Sequence, residues 1–302
     1  MLALLQRTLT CLAVAAALGW LAFFGRSTPV LAWAGFALLL FGYSAILAVE
    51  FLLARQVNKH DPVPPATWRN LLAAWWGESL VAPQVFCWRQ PFRPNAIPDQ
   101  LGPPEKVQGR RGVVFVHGFF CNRGVWTPWL ERLRDRGHAF IAVDLEPLFG
   151  SIDSYAPQID DAVRRVTQAT GLAPLLVCHS MGGLAARAWL KLMNGEAHVH
   201  HVVTIGTPHR GTWLARFGHG QNSRQMRLTS GWHIGLNHAM PAACHARFTC
   251  WYSNCDNIVF PASNATLPGA DNRLLRGAGH VQLAFLPEVM RTTLDMLSDT
   301  LP

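Results

Sequence analysis

The chain has 302 residues, with 26 Lys and Arg against 18 Asp and Glu and a net charge of +8. Half of it is hydrophobic and only 15% is charged, which excludes a disordered chain and a collagen-like or low-complexity one. The apolar excess directs attention first to segments able to enter a bilayer; about 240 residues remain after such an N-terminal block, enough for one large α/β domain.

Two uncharged runs open the chain, Thr8–Gly25 (18 residues) and Ser27–Val49 (23 residues), with Arg26 between them. A helix needs about 20 apolar residues to cross the hydrocarbon core. The second run meets this. The first is shorter and also fits a signal peptide, but another apolar run follows it directly, so residues 1–60 are expected to form a transmembrane helical hairpin. Arg7 precedes the first run and Arg55, Lys59 and Arg69 follow the second, which favours both ends inside a bacterial-type inner membrane and a cytoplasmic domain beyond. Seven scattered cysteines without a C-x-x-C pair fit reduced thiols; a Cys244–Cys255 or Cys250–Cys255 bridge would argue for the opposite side.

Residues 61–110 read as a Pro-rich linker holding one amphipathic helix. Asp61-Pro62-Val63-Pro64-Pro65 is stiff, and Trp68, Leu71, Leu72, Trp75 and Trp76 then fall at helical spacing. That helix suits either the membrane interface or packing on the domain that follows. The six prolines between Pro83 and Pro104 suggest an irregular connection. From residue 111 the pattern alternates. Strands are expected at Gly112–Val116, Phe140–Val143, Leu175–Val177, Val202–Ile205 and Phe248–Tyr252. Helices are expected around Trp126–Leu133, Ile159–Val166, Gly183–Met193 and Pro287–Leu297, with Asp160–Arg164 and Asp161–Arg165 pairs on the second. This order implies a parallel sheet covered on both faces by helices.

Leu175-Leu176-Val177-Cys178-His179-Ser180-Met181-Gly182-Gly183 sets a serine in a sharp turn between a buried strand and a helix. It resembles the G-x-S-x-G nucleophile elbow of the α/β-hydrolase superfamily, with Cys178 at the first glycine position. Val113–Phe120, containing His117-Gly118, resembles the family's oxyanion segment. The resemblance gives the donors as the backbone N–H groups of Phe119 and Met181 and leaves His117 a structural role. Asp256 follows a late strand and His280 lies in a loop before the last helix, so Ser180, Asp256 and His280 stand in the family's chain order of nucleophile, acid and base. His209 and His245 rival His280, and Asp144 and Asp271 rival Asp256. Val203–Thr212, with Gly206-Thr207-Pro208-His209, is similar to a stretch of bacterial triacylglycerol lipases. The resemblance implies an α/β-hydrolase fold over 111–302 and a carboxylic ester hydrolase working through an acyl-enzyme on Ser180. No acid follows His280 where many of those lipases carry calcium, so neither a metal nor another cofactor is expected.

No Asp or Glu occurs between Glu196 and Asp256, while Arg210, Arg216, Arg224, Arg227 and Arg247 do. The centre of this stretch, about 211–247, is expected to form a cap or lid whose basic, aromatic surface faces either an anionic bilayer or simply solvent. No nucleic-acid motif accompanies the charge. Phe120, Trp213 and Phe217 are the expected substrate contacts, and an ester or lipid is the expected substrate. The triad Ser180, Asp256 and His280 would equally serve a phospholipase, a thioesterase or an acyltransferase, and a non-catalytic lipid-binding scaffold is the alternative of another class.

Overall fold

A computed structural model describes residues 1–298 apart from 229 and 241, the side chains of 104 and 243 also aside. Its centre is one parallel sheet in the order β2-β1-β3-β4-β5-β6. The strands are β1 (Val113–Val116), β2 (Phe140–Val143), β3 (Leu175–His179), β4 (His201–Ile205), β5 (Phe248–Ser253) and β6 (Asp271–Leu275). Val and Ile dominate β1 to β4, whose every residue is buried, because a parallel sheet is covered on both faces. One face packs Val114, Ile141, Leu176 and Val202 against Ile159, Val163, Leu184 and Trp189. The other packs Phe115, Phe140, Val177 and Ile205 against Trp126, Trp129, Leu133 and Val289. β6 escapes the sequence reading because it is an edge strand of sequence Asp-Asn-Arg-Leu-Leu with no apolar run.

The N-terminal part departs from two straight spans. Helix α1 (Leu2–Phe24) is long and apolar enough to cross a membrane. The second run breaks at Gly42 into α2 (Pro29–Phe41) and α3 (Tyr43–Val57), and α2 meets the continuation to His60 at 52°, so it counts as a span only if the bent pair is taken as one. Glycine is a common site for such a kink. Polar contacts then hold α3 down on the rest of the chain: Tyr43 Oη donates to the Ser79 carbonyl (2.6 Å) and Trp75 Nε1 to the Ser44 carbonyl (2.7 Å). Phe51 and Ala54 are buried, Phe51 packing with Leu71, Ala74 and Cys255.

The expected stiff linker is sewn to the sheet domain. Asp61 accepts from Ser263 Oγ at 2.6 Å, Asn58 Oδ1 from the Ala262 N–H at 3.0 Å, and the Pro64 carbonyl from Asn254 Nδ2 at 3.1 Å. Helix α4 (Trp68–Pro83) starts where Thr67 Oγ1 accepts from the Asn70 N–H. It serves two surroundings at once, with Leu71, Ala74 and Glu78 buried and Trp68, Leu72, Trp76 and Leu80 exposed. It runs on through a wide π turn, Gln84–Arg89, where an irregular connection was expected. Helices α5 (Thr127–Asp135), α6 (Ala156–Thr170), α7 (Met181–Met193), α8 (Gly231–Ala239) and α9 (Pro287–Asp295) complete the layers. The Asp160–Arg164 and Asp161–Arg165 pairs lie on α6 at 3.2 and 3.5 Å. All seven cysteines are unbridged.

Residues 211–247 are inserted between β4 and β5 as short helical turns and α8. Their arginines are largely engaged by backbone or rings: Arg227 Nη2 donates to the Gly218 carbonyl and Arg216 lies 4.0 Å over Trp213. The apolar side chains of this insertion split. Phe217 and Ile234 are exposed, but Leu236 is buried and Trp232 Nε1 donates to Asp153.

Candidate active site

β3 ends at His179 and α7 begins at Met181, leaving Ser180 alone in the turn at φ 53°, ψ −127°. A non-glycine residue held there is strained, and the packing fixes it. A Cβ on Gly182 would run into the carbonyl oxygens of Val116 and His117, and one on Gly183 into Thr207. Two positions before the serine, Cys178 is wholly buried on β3 beside Val116 and Thr204, so a small thiol is accommodated where the family pattern has glycine. Burial pushes that thiol up, so it stays protonated.

β5 ends at Ser253, and the turn after it carries Asp256 into the interior. Asp256 Oδ1 accepts from the N–H groups of Ile258 (2.9 Å) and Val259 (2.7 Å), which fixes the carboxylate. Asp256 Oδ2 accepts from His280 Nδ1 at 2.9 Å. That bond sets the tautomer and leaves Nε2 of the ring as an acceptor. Burial lowers the pKa of His280, but Asp256, helped by Glu78 and Glu50, outweighs it and leaves the imidazole above its ordinary value. The His179 ring packs 4.7 Å from the His280 ring, and His179 Nε2 donates to the His280 carbonyl at 3.2 Å. Burial takes His179 down to about 3, so it adds no competing charge. Gly206, at φ 57° in the lipase-like stretch, leaves room for this pair: a Cβ there would stand 3.1 Å from both Asp256 Oδ2 and His280 Nδ1.

Opposite the serine, Gly118 lets the loop after β1 come close, since a Cβ would lie 2.8 Å from that of Ser180. Phe120 holds φ at 56°, so this loop too is strained. Met181 is the first residue of α7, where a backbone N–H has no intrahelical partner. His117 is locked in the loop, Nδ1 against the Gly118 carbonyl (2.9 Å) and Nε2 accepting from the Leu145 N–H (3.0 Å).

Ser180 and His280 line one cavity of about 300 Å³. Its apolar walls come from Phe119, Ile258 and Val281 and, from the N-terminal helices, Leu47, Ala82 and Phe86. Glu50 and Glu78 also reach it. The structure therefore brings Ser180, Asp256 and His280 together, with Phe119 in the wall. It places Phe120, Trp213 and Phe217 outside that wall: Phe120 faces the start of α1, its carbonyl accepting from Gln6 Nε2 at 3.4 Å, Trp213 stacks on Phe260, and Phe217 is exposed. The rivals lie elsewhere. His209 and Cys250 meet under the sheet, His245 Nδ1 faces the Pro268 carbonyl, Asp271 pairs with Arg273, and Asp144 accepts from the Arg123 N–H. Among the described residues no three His, Cys, Asp or Glu side chains converge on a metal position.

Sequence reading missed Glu50, Glu78 and Asn257. A signal existed for the two acids, since a lone carboxylate in an apolar helix is costly unless something inside uses it.

Residues 113–291 match the Alpha/beta hydrolase family, and the chain belongs to it. Two curated relatives, the lysosomal thioesterases PPT2 of Rattus norvegicus and Mus musculus, are each 26% identical over 155 residues, 49% of this chain and 47% of theirs. The match thus spans about half the length of those relatives. Among solved structures, Aspergillus fumigatus lipase B superposes with TM-score 0.58 at 18% identity, over 65% of this chain and 54% of that one. Mature Bacillus licheniformis lipase BlEst2 gives 0.52 at 18% identity, over 63% and 93%. At such identities the likeness is one of fold.

Proposed function

We propose that the protein is a membrane-anchored serine hydrolase that cleaves carboxylic esters of apolar acyl chains. The observation carrying this is the Asp256–His280 hydrogen bond of 2.9 Å opening onto the same apolar cavity as the strained Ser180. In this reading His280 Nε2 takes the proton of Ser180 Oγ as it attacks the acyl carbon. The N–H groups of Phe119 and Met181 receive the developing oxyanion. Asp256 holds the imidazolium, which then returns the proton to the leaving alcohol, and water attacks the acyl-enzyme by the same relay. Fluorophosphonate labelling tests it: the wild type should label, and Ser180→Ala should not. Equal labelling of both removes the nucleophile. His280→Ala is expected to lower turnover by about 10⁴-fold.

A thioester is the second reading, favoured by the thioesterase relatives. Matched oxygen and sulfur esters of one acyl chain decide between them through kcat/KM. Phospholipase and acyltransferase activities differ from both only in the group that leaves or accepts the acyl chain.

The proposed anchor is a hairpin of α1 with the bent α2–α3 pair. At 1.5 Å per residue α1 covers about 34 Å, sufficient for the hydrocarbon core. Both ends of the hairpin grip the hydrolase body, Gln6 through the Phe120 carbonyl (3.4 Å) and Glu50 through Asn257 (2.7 Å), which supports a single side for both. With the flanking Arg and Lys, that side is read as cytoplasmic. The acyl chain is read as lying along Leu47, Ala82 and Phe86 rather than under the basic insertion.

A further inference from the structure

The first 98 residues contain three acids, Glu50, Asp61 and Glu78, and each grips a loop at the C-terminal edge of the sheet. Asp61 takes Ser263 (2.6 Å) and Glu50 takes Asn257 Nδ2 (2.7 Å), while Asn257 Oδ1 accepts from the His280 N–H (3.1 Å). Glu78 goes furthest. It is 2% exposed, and its two oxygens accept from the N–H groups of Val281 (2.9 Å) and Gln282 (2.8 Å), the residues directly after His280. Both N–H groups lie in the first turn of the short helix His280–Leu283, where they lack helical partners. The approach is close: a Cβ on Gly279 would stand 2.6 Å from Glu78 Oε2. An unpaired carboxylate is seldom buried, and this one has no cation but His280 facing it.

We propose that Glu78, from outside the segment matched to the hydrolase family, is a positioning residue for His280: it fixes the turn that aims the imidazole and sets a negative charge beside it. This rests on His280 being the general base. The charged groups facing the ring are Asp256, Glu50 and Glu78, with neutral His179 against its side. Burial raises the Glu78 carboxyl, the backbone bonds and His280 pull against it, and the balance lies at about 7, so a positive imidazolium on His280 favours the charged form of Glu78 beside it. Removing that charge lowers the pKa of His280, and the neutral base then appears at lower pH.

The experiment uses the full chain in detergent with a p-nitrophenyl ester. Glu78→Gln should cut kcat about 10- to 100-fold with KM nearly unchanged. The acid limb of its kcat/KM profile should begin at lower pH than in wild type. Glu78→Asp, which keeps the charge on a shorter arm, should bring the limb back toward wild type even where its kcat stays low. The limb position does not depend on how much protein is folded. If Glu78→Gln keeps wild-type kcat and limb while His280→Ala is inactive, the inference falls and the base assignment stands. An unmoved limb with lowered kcat also overturns it, leaving Glu78 a structural staple. If His280→Ala retains turnover, the base assignment itself fails.

Discussion

At Gly206 two demands meet that no other residue satisfies: a left-handed backbone and no Cβ beside the Asp256–His280 bond. Gly206→Ala is therefore expected to cost about 1–3 kcal/mol of stability in thermal or chemical unfolding. It should also lower kcat by at least about 10-fold, because the methyl group pushes on the carboxylate–imidazole pair. A variant with wild-type kcat would show that this pair tolerates displacement. His280 makes a further prediction. A base must be neutral to act, and its pKa is raised, so kcat/KM should climb with pH through a value above the ordinary 6.5. An ascending limb below that value would contradict the charge balance described for the ring. The serine turn and its glycines were legible because the signal is local, packed into a few consecutive residues. Asp256 and His280 were legible by chain order. Glu78 carried only the signal of a lone carboxylate in an apolar helix, and its role was hidden because its partners lie 203 and 204 residues away.

Among elements, strands β1 to β4 could be read from short runs of Val, Ile, Leu and Phe, since burial on both faces favours apolar residues, and β5 from the aromatic stretch Phe248–Tyr252. β6 could not, since an edge strand needs no such run, and the kink at Gly42 could not, since the run across it is uniformly apolar. The 211–247 insertion was legible in place but not in role. Its aromatics looked like a substrate surface, whereas the cavity walls come from Phe119, Ile258 and Val281 together with α3, α4 and the π turn. This gives a prediction for α4. Ala82→Trp fills the cavity beside Ser180 and should lower kcat/KM for long-chain esters about 10- to 100-fold while short-chain esters change little. Equal losses on both would place the acyl chain elsewhere.

For the whole molecule, the apolar outer faces of α1, α2 and α4 sum to a surface that water does not suit. Leu4, Leu12, Trp33, Leu38, Trp68, Leu72 and Trp76 are all exposed. On the proposed placement the protein should stay in the membrane fraction at alkaline carbonate, and reporters fused to its two ends should read the same compartment. Release into the supernatant, or opposite readings, would remove the hairpin.

The bend at Gly42 joins α2, which faces lipid tails on the proposed placement, to a half-helix whose glutamate grips the loop next to the imidazole. Such a joint turns bilayer depth into leverage. If the hairpin is inserted as proposed, α2 would tilt in thin bilayers and the strain would pass along α3 to Asn257 and onward to His280. Turnover of one soluble ester, compared across vesicles built from short-, medium- and long-tailed phosphatidylcholines, should therefore peak at a matched thickness. The same series on a Glu50→Gln variant, with its grip loosened, should be flatter.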